Sequence, residues 1–348
     1  MIYKMSSFVD AGFLIESNFS DSSSHGPYTP VTIGPYTPVA SNSTEYALHA
    51  LQCVIGLIGA IGNGLVCVVI WKVRKEQNFI NLLIVSQAAI DFLTSLLLIA
   101  NIISVWVDER PPENFALAVL YCIFWHSKVI IFSCWAISTF NLTAIAIERY
   151  LAVIHPFWYH RTFFRKHAWM LAITAWLIAP IMQTIIGARQ HVVEQKRCDY
   201  VSPPIKEQII LGVLVFLWDF FIPLCIMAFS FIRIILRFHN KTITESTTDT
   251  EMQRKIMKRR YVTKTLFTVF VLFVVCWTPE QITFLHFNLG GKLEFGGTWH
   301  TIALILATSN TAVNPIVYAL RFEQYKEGLK SLCSKKRGNY QRIDAVSD

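Results

Sequence analysis

The sequence predicts an all-α membrane protein, a seven-transmembrane-helix bundle followed by a short amphipathic eighth helix. Three observations predict this fold. Only 16% of the 348 residues are charged and 53% are hydrophobic, whereas an average soluble domain is roughly 25% charged. The hydrophobic residues form seven blocks that are long enough to cross a bilayer as helices, which takes about 20 residues. The basic residues are also distributed unevenly among the segments that connect these blocks.

The seven predicted spans cover approximately residues 46–71, 79–107, 116–147, 168–188, 208–236, 262–288 and 298–320. Several of them contain a proline, which neighbouring helices and water can accommodate in a bundle. Strands of an outer-membrane barrel would instead alternate apolar and polar residues over about 10 positions. No such alternation is visible, so we expect helices.

The distribution of Lys and Arg predicts the orientation. If the N-terminus is outside, 23 of the 31 basic residues lie on the inner side and seven on the outer side. This asymmetry follows the positive-inside rule. We therefore expect a multi-pass protein of the plasma membrane with an extracellular N-terminus and a cytoplasmic C-terminus.

The first 45 residues are rich in Ser, Thr, Pro and Gly, and the sequence GPYTPV occurs twice in them. This composition predicts a disordered extracellular segment. It contains the sequons of Asn18 and Asn42, which are candidates for glycosylation. The expected organisation is therefore an N-terminal segment 1–45, a receptor domain 46–320, an amphipathic membrane-surface helix 321–333 and a tail 334–348.

Polar signatures occur inside the apolar spans, where ionisable groups are costly. In order along the chain they are Asn63, Asp91, Glu148-Arg149-Tyr150, Trp176, Pro223, Cys276-Trp277-Thr278-Pro279 and Asn314-Pro315-Ile316-Val317-Tyr318. Alone, Arg149 could be a snorkelling interfacial residue. Together, with one signature in each span, they resemble the rhodopsin-like (class A) G-protein-coupled receptors, of peptide-receptor type, over roughly residues 46–333.

The resemblance implies roles for individual residues. It implies that Arg149 is held by Glu148 at rest and released to meet a heterotrimeric G-protein, that Pro279 kinks the sixth helix, and that Trp277 acts as a toggle below the ligand. It assigns G-protein coupling and activation to Glu148, Arg149, Tyr150, Phe157, Trp277, Pro279, Asn314, Pro315 and Tyr318. One departure is Phe231, which stands where the family usually has a tyrosine partner for Tyr318.

The resemblance also implies a site and two covalent features. Asp91, Ser138, Asn310 and Asn314 match a sodium site, so an allosteric Na⁺ is expected although no cofactor is required. Cys122 and Cys198 match the family's disulfide, but Cys122 lies 27 residues before Arg149 where 25 is usual. Either a bulge or extra turn begins the third helix, or the register there is shifted by two. Cys333 ends an amphipathic stripe and is a candidate for palmitoylation or a plain thiol.

The ligand is constrained by what the spans lack. No lysine occurs in the seventh span, where Thr308 takes the matching position, so a retinal Schiff base is excluded. Amine receptors place an Asp at the position of Ile131, so we do not expect a monoamine ligand. The predicted ligand-binding residues are Lys128, Ile131, Asp219, Trp277, Glu280, Gln281, Phe284 and Thr308. A structural network of these charges is the alternative to a binding role.

These observations favour a receptor for a neuropeptide-like peptide. A basic group of the peptide would meet Asp219 or Glu280, and an acidic group or the C-terminal end would meet Lys128. The second outer loop is expected to form a hairpin lid, and arrestin, receptor kinases and membrane lipid are expected partners. The alternatives are a receptor for a non-amine small molecule or lipid, and a seven-helix transporter. No nucleophile elbow, HExxH motif or phosphate loop indicates an enzyme, and nothing indicates nucleic-acid binding.

Overall fold

The computed structural model describes residues 43–72, 79–107, 110–162, 165–187, 190–193, 197–200, 203–242, 250–292, 297–322, 325–326 and 328–330. The predicted glycosylation sites Asn18 and Asn42 and the predicted palmitoylation site Cys333 lie outside these residues.

The described elements are mostly helical. In chain order they are α1 (Ser43–Lys72), α2 (Phe79–Trp106), α3 (Phe115–Leu120), a π-helical turn (Tyr121–His126), α4 (Val129–Ile154), α5 (Pro156–Thr162), α6 (Arg165–Ile178), α7 (Pro180–Gly187), β1 (Gln190–Val193), β2 (Arg197–Tyr200), α8 (Ile205–Phe216), a second π-helical turn (Leu217–Phe221), α9 (Ile222–Thr242), α10 (Thr250–Asn288) and α11 (Thr298–Arg321).

Seven stretches of helix are long and apolar enough to cross a membrane, which confirms the predicted bundle. They are Tyr46–Ile70, Ile80–Trp106, Val129–Ile154, Lys166–Ile185, Ile205–His239, Arg260–Asn288 and Thr298–Arg321. The fourth span is formed by α6 and α7 because Pro180 interrupts the helix, and proline is well suited to the first position of the helix that follows. The chain is therefore a multi-pass membrane protein.

The third span differs from the sequence prediction. We expected one helix over 116–147, but α3 ends at Leu120 and a π-helical turn follows, after which Lys128 adopts a left-handed backbone conformation with φ of 58°. The regular helix then continues to Ile154. A π-helical turn holds more residues than an α-helical turn. It is the bulge that accounts for the 27 residues between Cys122 and Arg149.

The second outer loop forms the expected hairpin. Strands β1 and β2 pair antiparallel, with Val192 opposite Cys198. Cys198 is bonded to Cys122, and their Cα atoms are 5.5 Å apart. The disulfide therefore attaches the hairpin to the π-helical turn at the outer end of the third span.

Residues that follow α11 pack against the end of the bundle at which α11 ends. Phe322 and Tyr325 are buried in the main hydrophobic core, and half-buried Leu329 packs against it. This spacing of three and four residues is the one expected for the apolar face of the predicted eighth helix.

Small residues allow close helix contacts, as is typical of membrane bundles. Gly56, Gly59 and Gly62 form one face of α1, and a methyl group on Gly59 would lie 2.4 Å from the Ser95 hydroxyl oxygen. At the outer end, a methyl group on Gly212 of α8 would lie 2.3 Å from Cβ of Asn288 in α10. The latter contact involves an atom fixed to the backbone, so a side-chain rotation cannot relieve it.

We predict that Gly212→Ala lowers the free energy of unfolding by about 1–3 kcal/mol, the usual cost of overpacking, because α8 must move away from α10. The thermal unfolding midpoint of the purified protein in detergent measures this effect. Gly64→Ala is the matched control, since its added methyl group would meet nothing closer than the Phe92 ring at 3.5 Å. Equal midpoints for the two variants would contradict the prediction.

Candidate ligand cavity and transmission network

A cavity lies between the third, fourth, fifth and sixth spans. Its empty volume is about 530 Å³, including the part that is open to solvent. It is lined by Phe132, Trp135, Ala136, Thr139, Gln183, Val215, Asp219, Trp277, Glu280, Gln281 and Phe284.

The structure brings together five of the eight predicted ligand-binding residues. Asp219, Trp277, Glu280, Gln281 and Phe284 all line the cavity. They come from the π-helical turn before α9 and from one face of α10.

The other three predicted residues do not line this cavity. Lys128 precedes α4 at the outer end of the third span, and Ile131 is buried. Thr308 donates a hydrogen bond to the carbonyl of Leu304 in its own helix at 2.7 Å.

The cavity is acidic. Asp219 and Glu280 are the ionisable side chains of its described lining, which contains no Lys, Arg or His. Gln183 donates a hydrogen bond to Oδ2 of Asp219. Among the described residues, Oδ1 of Asp219 and Oε2 of Glu280 have no hydrogen-bond partner. Buried acceptors without a partner are costly, so this cavity favours a ligand that carries hydrogen-bond donors and positive charge.

Aromatic rings form the cavity wall next to these carboxylates. Trp135 packs edge-on against Trp277 with ring centroids 5.2 Å apart, and Phe132 packs edge-on against Trp135 at 5.3 Å. Aromatic faces attract cations. The cavity therefore combines the two kinds of group that bind an ammonium or guanidinium.

Sequence reasoning missed the α4 face of this cavity and Gln183. Phe132, Trp135, Ala136 and Thr139 follow the spacing of one helical face, but the comparison with amine receptors directed attention to Ile131, one residue away. Gln183 was detectable as an amide within an apolar span, since such residues need a partner.

A polar network lies between the second, third and seventh spans. Asp91 accepts hydrogen bonds from Ser138 at 2.9 Å, from Asn314 at 2.8 Å, and from Gln87 at 3.0 and 3.2 Å. Asn310, the fourth predicted sodium ligand, is buried but makes no hydrogen bond to Asp91 among the described residues. Three of the four predicted sodium ligands thus belong to one network, and the ion itself stays a prediction.

A separate amide joins the first span to the seventh. Asn63 donates hydrogen bonds to the carbonyl of Gly59 at 2.9 Å and to that of Thr311 at 2.7 Å. Pro315 lies one turn beyond Thr311 and would be 2.7 Å from a methyl group on Gly62. This contact keeps the first and seventh spans together near Asn314.

Near the C-terminal end of the third span, Glu148 binds two partners. Its carboxylate forms a salt bridge with Arg149 and accepts a hydrogen bond from the hydroxyl of Tyr159 in α5. Glu148 is fully buried and the Arg149 side chain is 11% exposed. Sequence reasoning predicted the first pair and missed Tyr159, which belongs to a loop helix with no polar signature of its own.

The other predicted coupling residues are distributed along the bundle. The Tyr150 ring contacts the Phe229 ring with centroids 5.7 Å apart. Phe157 of α5 is 92% exposed. Pro279 lies inside α10 and Pro315 inside α11, where each removes a backbone hydrogen-bond donor.

Phe231, at the position where the family usually has a tyrosine, packs against other aromatic rings. Its ring stacks on Phe270 with centroids 5.3 Å apart and meets Phe267 edge-on at 5.7 Å. The hydroxyl of buried Tyr318 has no hydrogen-bond partner among the described residues. The fifth and sixth spans are thus joined here by apolar contacts.

Comparison with known proteins identifies the family. The profile described as "7 transmembrane receptor (rhodopsin family)" matches residues 62–318. The chain belongs to this family. The match begins within the first span and ends within the seventh. It includes Asn63, Asp91, Arg149, Trp277 and Tyr318, on which the resemblance rested.

Several curated proteins are similar along most of this receptor. The RYamide receptor of Drosophila melanogaster is 24% identical over 84% of this chain, which spans 64% of that protein. The QRFP-like peptide receptor of Branchiostoma floridae is 26% identical over 83% of the chain and 78% of its own length. A melanopsin-like protein of Danio rerio is 28% identical, with coverage of 81% and 57%.

We predict that Tyr159→Phe lowers the free energy of unfolding by about 1.5–3 kcal/mol, because it removes a hydrogen bond to a buried carboxylate. The thermal midpoint of the purified receptor measures the change. Tyr150→Phe is the control, since the Tyr150 hydroxyl makes no hydrogen bond among the described residues. If both variants melt at the wild-type temperature, the Tyr159 contact does not stabilise the fold.

Proposed function

We propose that this chain is a plasma-membrane receptor that binds an extracellular peptide and activates a heterotrimeric G-protein. Membership of the rhodopsin family supports the receptor function. Two of its relatives are named as receptors for RYamide and for a QRFP-like peptide. The N-terminus is extracellular and the C-terminus cytoplasmic, as the positive-inside rule requires, and the protein is not an enzyme.

The observation that carries the ligand assignment is the acidic cavity. A basic side chain of the peptide enters between the aromatic rings and donates hydrogen bonds to Asp219 and Glu280. A guanidinium has five donors in a rigid plane and can reach two carboxylates at once. Lys128, at the outer end of the third span, receives an acidic group or the C-terminal end of the peptide.

The hairpin supports a peptide ligand as well. Strands β1 and β2 are anchored by the Cys122–Cys198 disulfide above the third span. In a two-stranded hairpin the inward backbone groups pair between the strands and the outward groups can bind water or a ligand. Such a lid leaves the entrance open to a long ligand whose end reaches the cavity.

The signal passes from the cavity to the cytoplasmic end through groups that have two arrangements. Trp277 lines the cavity and also belongs to the main hydrophobic core. A ligand that binds one arrangement of Trp277 and α10 more tightly shifts the population toward it. Pro279 provides a point at which the cytoplasmic half of α10 can move relative to the outer half.

At the inner face, activation separates Arg149 from Glu148 and presents Arg149 to the G-protein. Exposed Phe157 inserts into an apolar site of the same partner. The other contacts that change on activation are those of Tyr150, Asn314, Pro315 and Tyr318. After phosphorylation by receptor kinases, the Ser- and Thr-rich third inner loop binds arrestin through its negative charge.

A peptide-library screen read by G-protein activation tests this function. We expect active peptides to contain Arg or Lys in the segment required for potency. Arg149→Ala should abolish activation while leaving surface expression intact. A screen in which only small molecules or lipids activate the receptor would contradict the peptide assignment.

We further predict that Asp219→Asn and Glu280→Gln each raise the half-maximal concentration of such a peptide roughly 10- to 100-fold, because each loses a charge-assisted hydrogen bond worth about 1.5–3 kcal/mol. Dose–response curves measure the shift. Glu207→Gln removes an exposed acid of α8 outside the cavity and is the control. Unchanged potency in both cavity variants would exclude the cavity as the site of the basic group.

A further inference from the structure

The side chain of Gln87 occupies the centre of the polar network around Asp91. It lies one helical turn before Asp91 on α2. Its Nε2 atom is 3.0 Å from Oδ2 and 3.2 Å from Oδ1 of Asp91, and 2.5 Å from Oγ of Ser138. The amide therefore bridges the two carboxylate oxygens.

Each of these oxygens also has a second donor. Ser138 donates to Oδ1 at 2.9 Å, and Asn314 donates to Oδ2 at 2.8 Å. The side chain of Gln87 is fully buried, and those of Asp91, Asn314 and Ser138 are 1–2% exposed. Since a carboxylate has about four acceptor positions, the amide and its two neighbours use most of them.

The orientation of the Gln87 amide is fixed by a group that cannot flip. Asn141 donates from Nδ2 to the backbone carbonyl of Leu83 at 3.0 Å, so its amide nitrogen must face α2. The same nitrogen donates to Oε1 of Gln87 at 2.9 Å. The oxygen of Gln87 consequently points toward Asn141, and its N–H groups point toward Asp91.

This arrangement does not fit a sodium ion. Hard cations such as Ca²⁺ and Mg²⁺ bind oxygen ligands, and the same preference applies to Na⁺. Here the atom that bridges both oxygens of Asp91 is a hydrogen-bond donor, and no other side chain of the described residues bridges them. An N–H group and a cation cannot occupy the same face of one carboxylate.

We propose that the Gln87 amide takes the place of the sodium ion that the family resemblance implies. The resting network between the second, third and seventh spans is then complete without any ion. Gln87 makes this site independent of the sodium concentration outside the cell, because a side chain of the receptor occupies the position of the ion. This inference does not depend on the identity of the agonist.

Thermal unfolding of the purified full-length receptor tests the proposal. The two conditions are sodium chloride and N-methyl-D-glucamine chloride at equal ionic strength. We expect the wild-type midpoint to be the same in both, since only an ion that binds the folded state raises the midpoint. A saturable rise of the wild-type midpoint with sodium would overturn the proposal.

Gln87→Met removes the amide at nearly constant length and should create a sodium-dependent rise of the midpoint. Gln87→Met combined with Asp91→Asn should lose that rise, because the carboxylate is the ligand. Gln52→Met is the matched control: Gln52 is a buried glutamine of α1 that makes no hydrogen bond to Asp91 among the described residues. It should show no sodium effect.

Asn141→Leu gives a second variant in case Gln87→Met does not fold. Without Asn141, the amide of Gln87 can rotate and turn Oε1 toward Asp91, so this variant should also gain a sodium-dependent midpoint. If neither Gln87→Met nor Asn141→Leu gains one, Gln87 is not what excludes the ion and the proposal fails.

Discussion

This structure depends on one constraint: a polar group that is buried away from water costs free energy unless it has a hydrogen-bond partner in the protein. Hydrocarbon offers no hydrogen bonds, so each amide, hydroxyl and carboxylate inside the bundle is stabilised by a partner elsewhere in the protein. Asp91 and Asn63 make such contacts to the seventh span, and Glu148 makes one to Tyr159 of α5. These contacts determine which helices are neighbours.

Two carboxylates meet this requirement only in part. Asp219 and Glu280 each retain an oxygen without a partner among the described residues, and both line the cavity. At Asp91, by contrast, every nearby donor is engaged. The difference separates a site that is complete in the folded chain from one that a ligand completes.

Much of the fold could be predicted from the sequence, because hydropathy reports directly which segments lie in lipid. The ends of the fourth to seventh spans fall within about three residues of the predicted ones. The third span was harder, since a π-helical turn and a left-handed Lys128 leave no mark in an apolar profile. The only sign of the π-helical turn in the sequence was the two extra residues between Cys122 and Arg149.

The site could be predicted less completely. Motifs located Asp91, Arg149, Trp277 and Tyr318, because each has a fixed distance to a proline or a neighbouring signature. The partners Gln183 and Tyr159 were missed, since a hydrogen bond between two helices depends on the rotation of both. Hydropathy does not report that rotation, and only the packed structure does. Gln87 was missed although it lies one turn before Asp91 on the same helix.

The short helix α5 has one consequence for how the two ends of the receptor communicate. Phe157 faces outward and Tyr159, two residues later, reaches inward to Glu148. A partner protein that binds Phe157 and moves α5 would break the hydrogen bond between Tyr159 and Glu148, and so would weaken the hold of Glu148 on Arg149 without any agonist. By thermodynamic reciprocity, binding of a protein at α5 then raises the affinity of the cavity for its ligand.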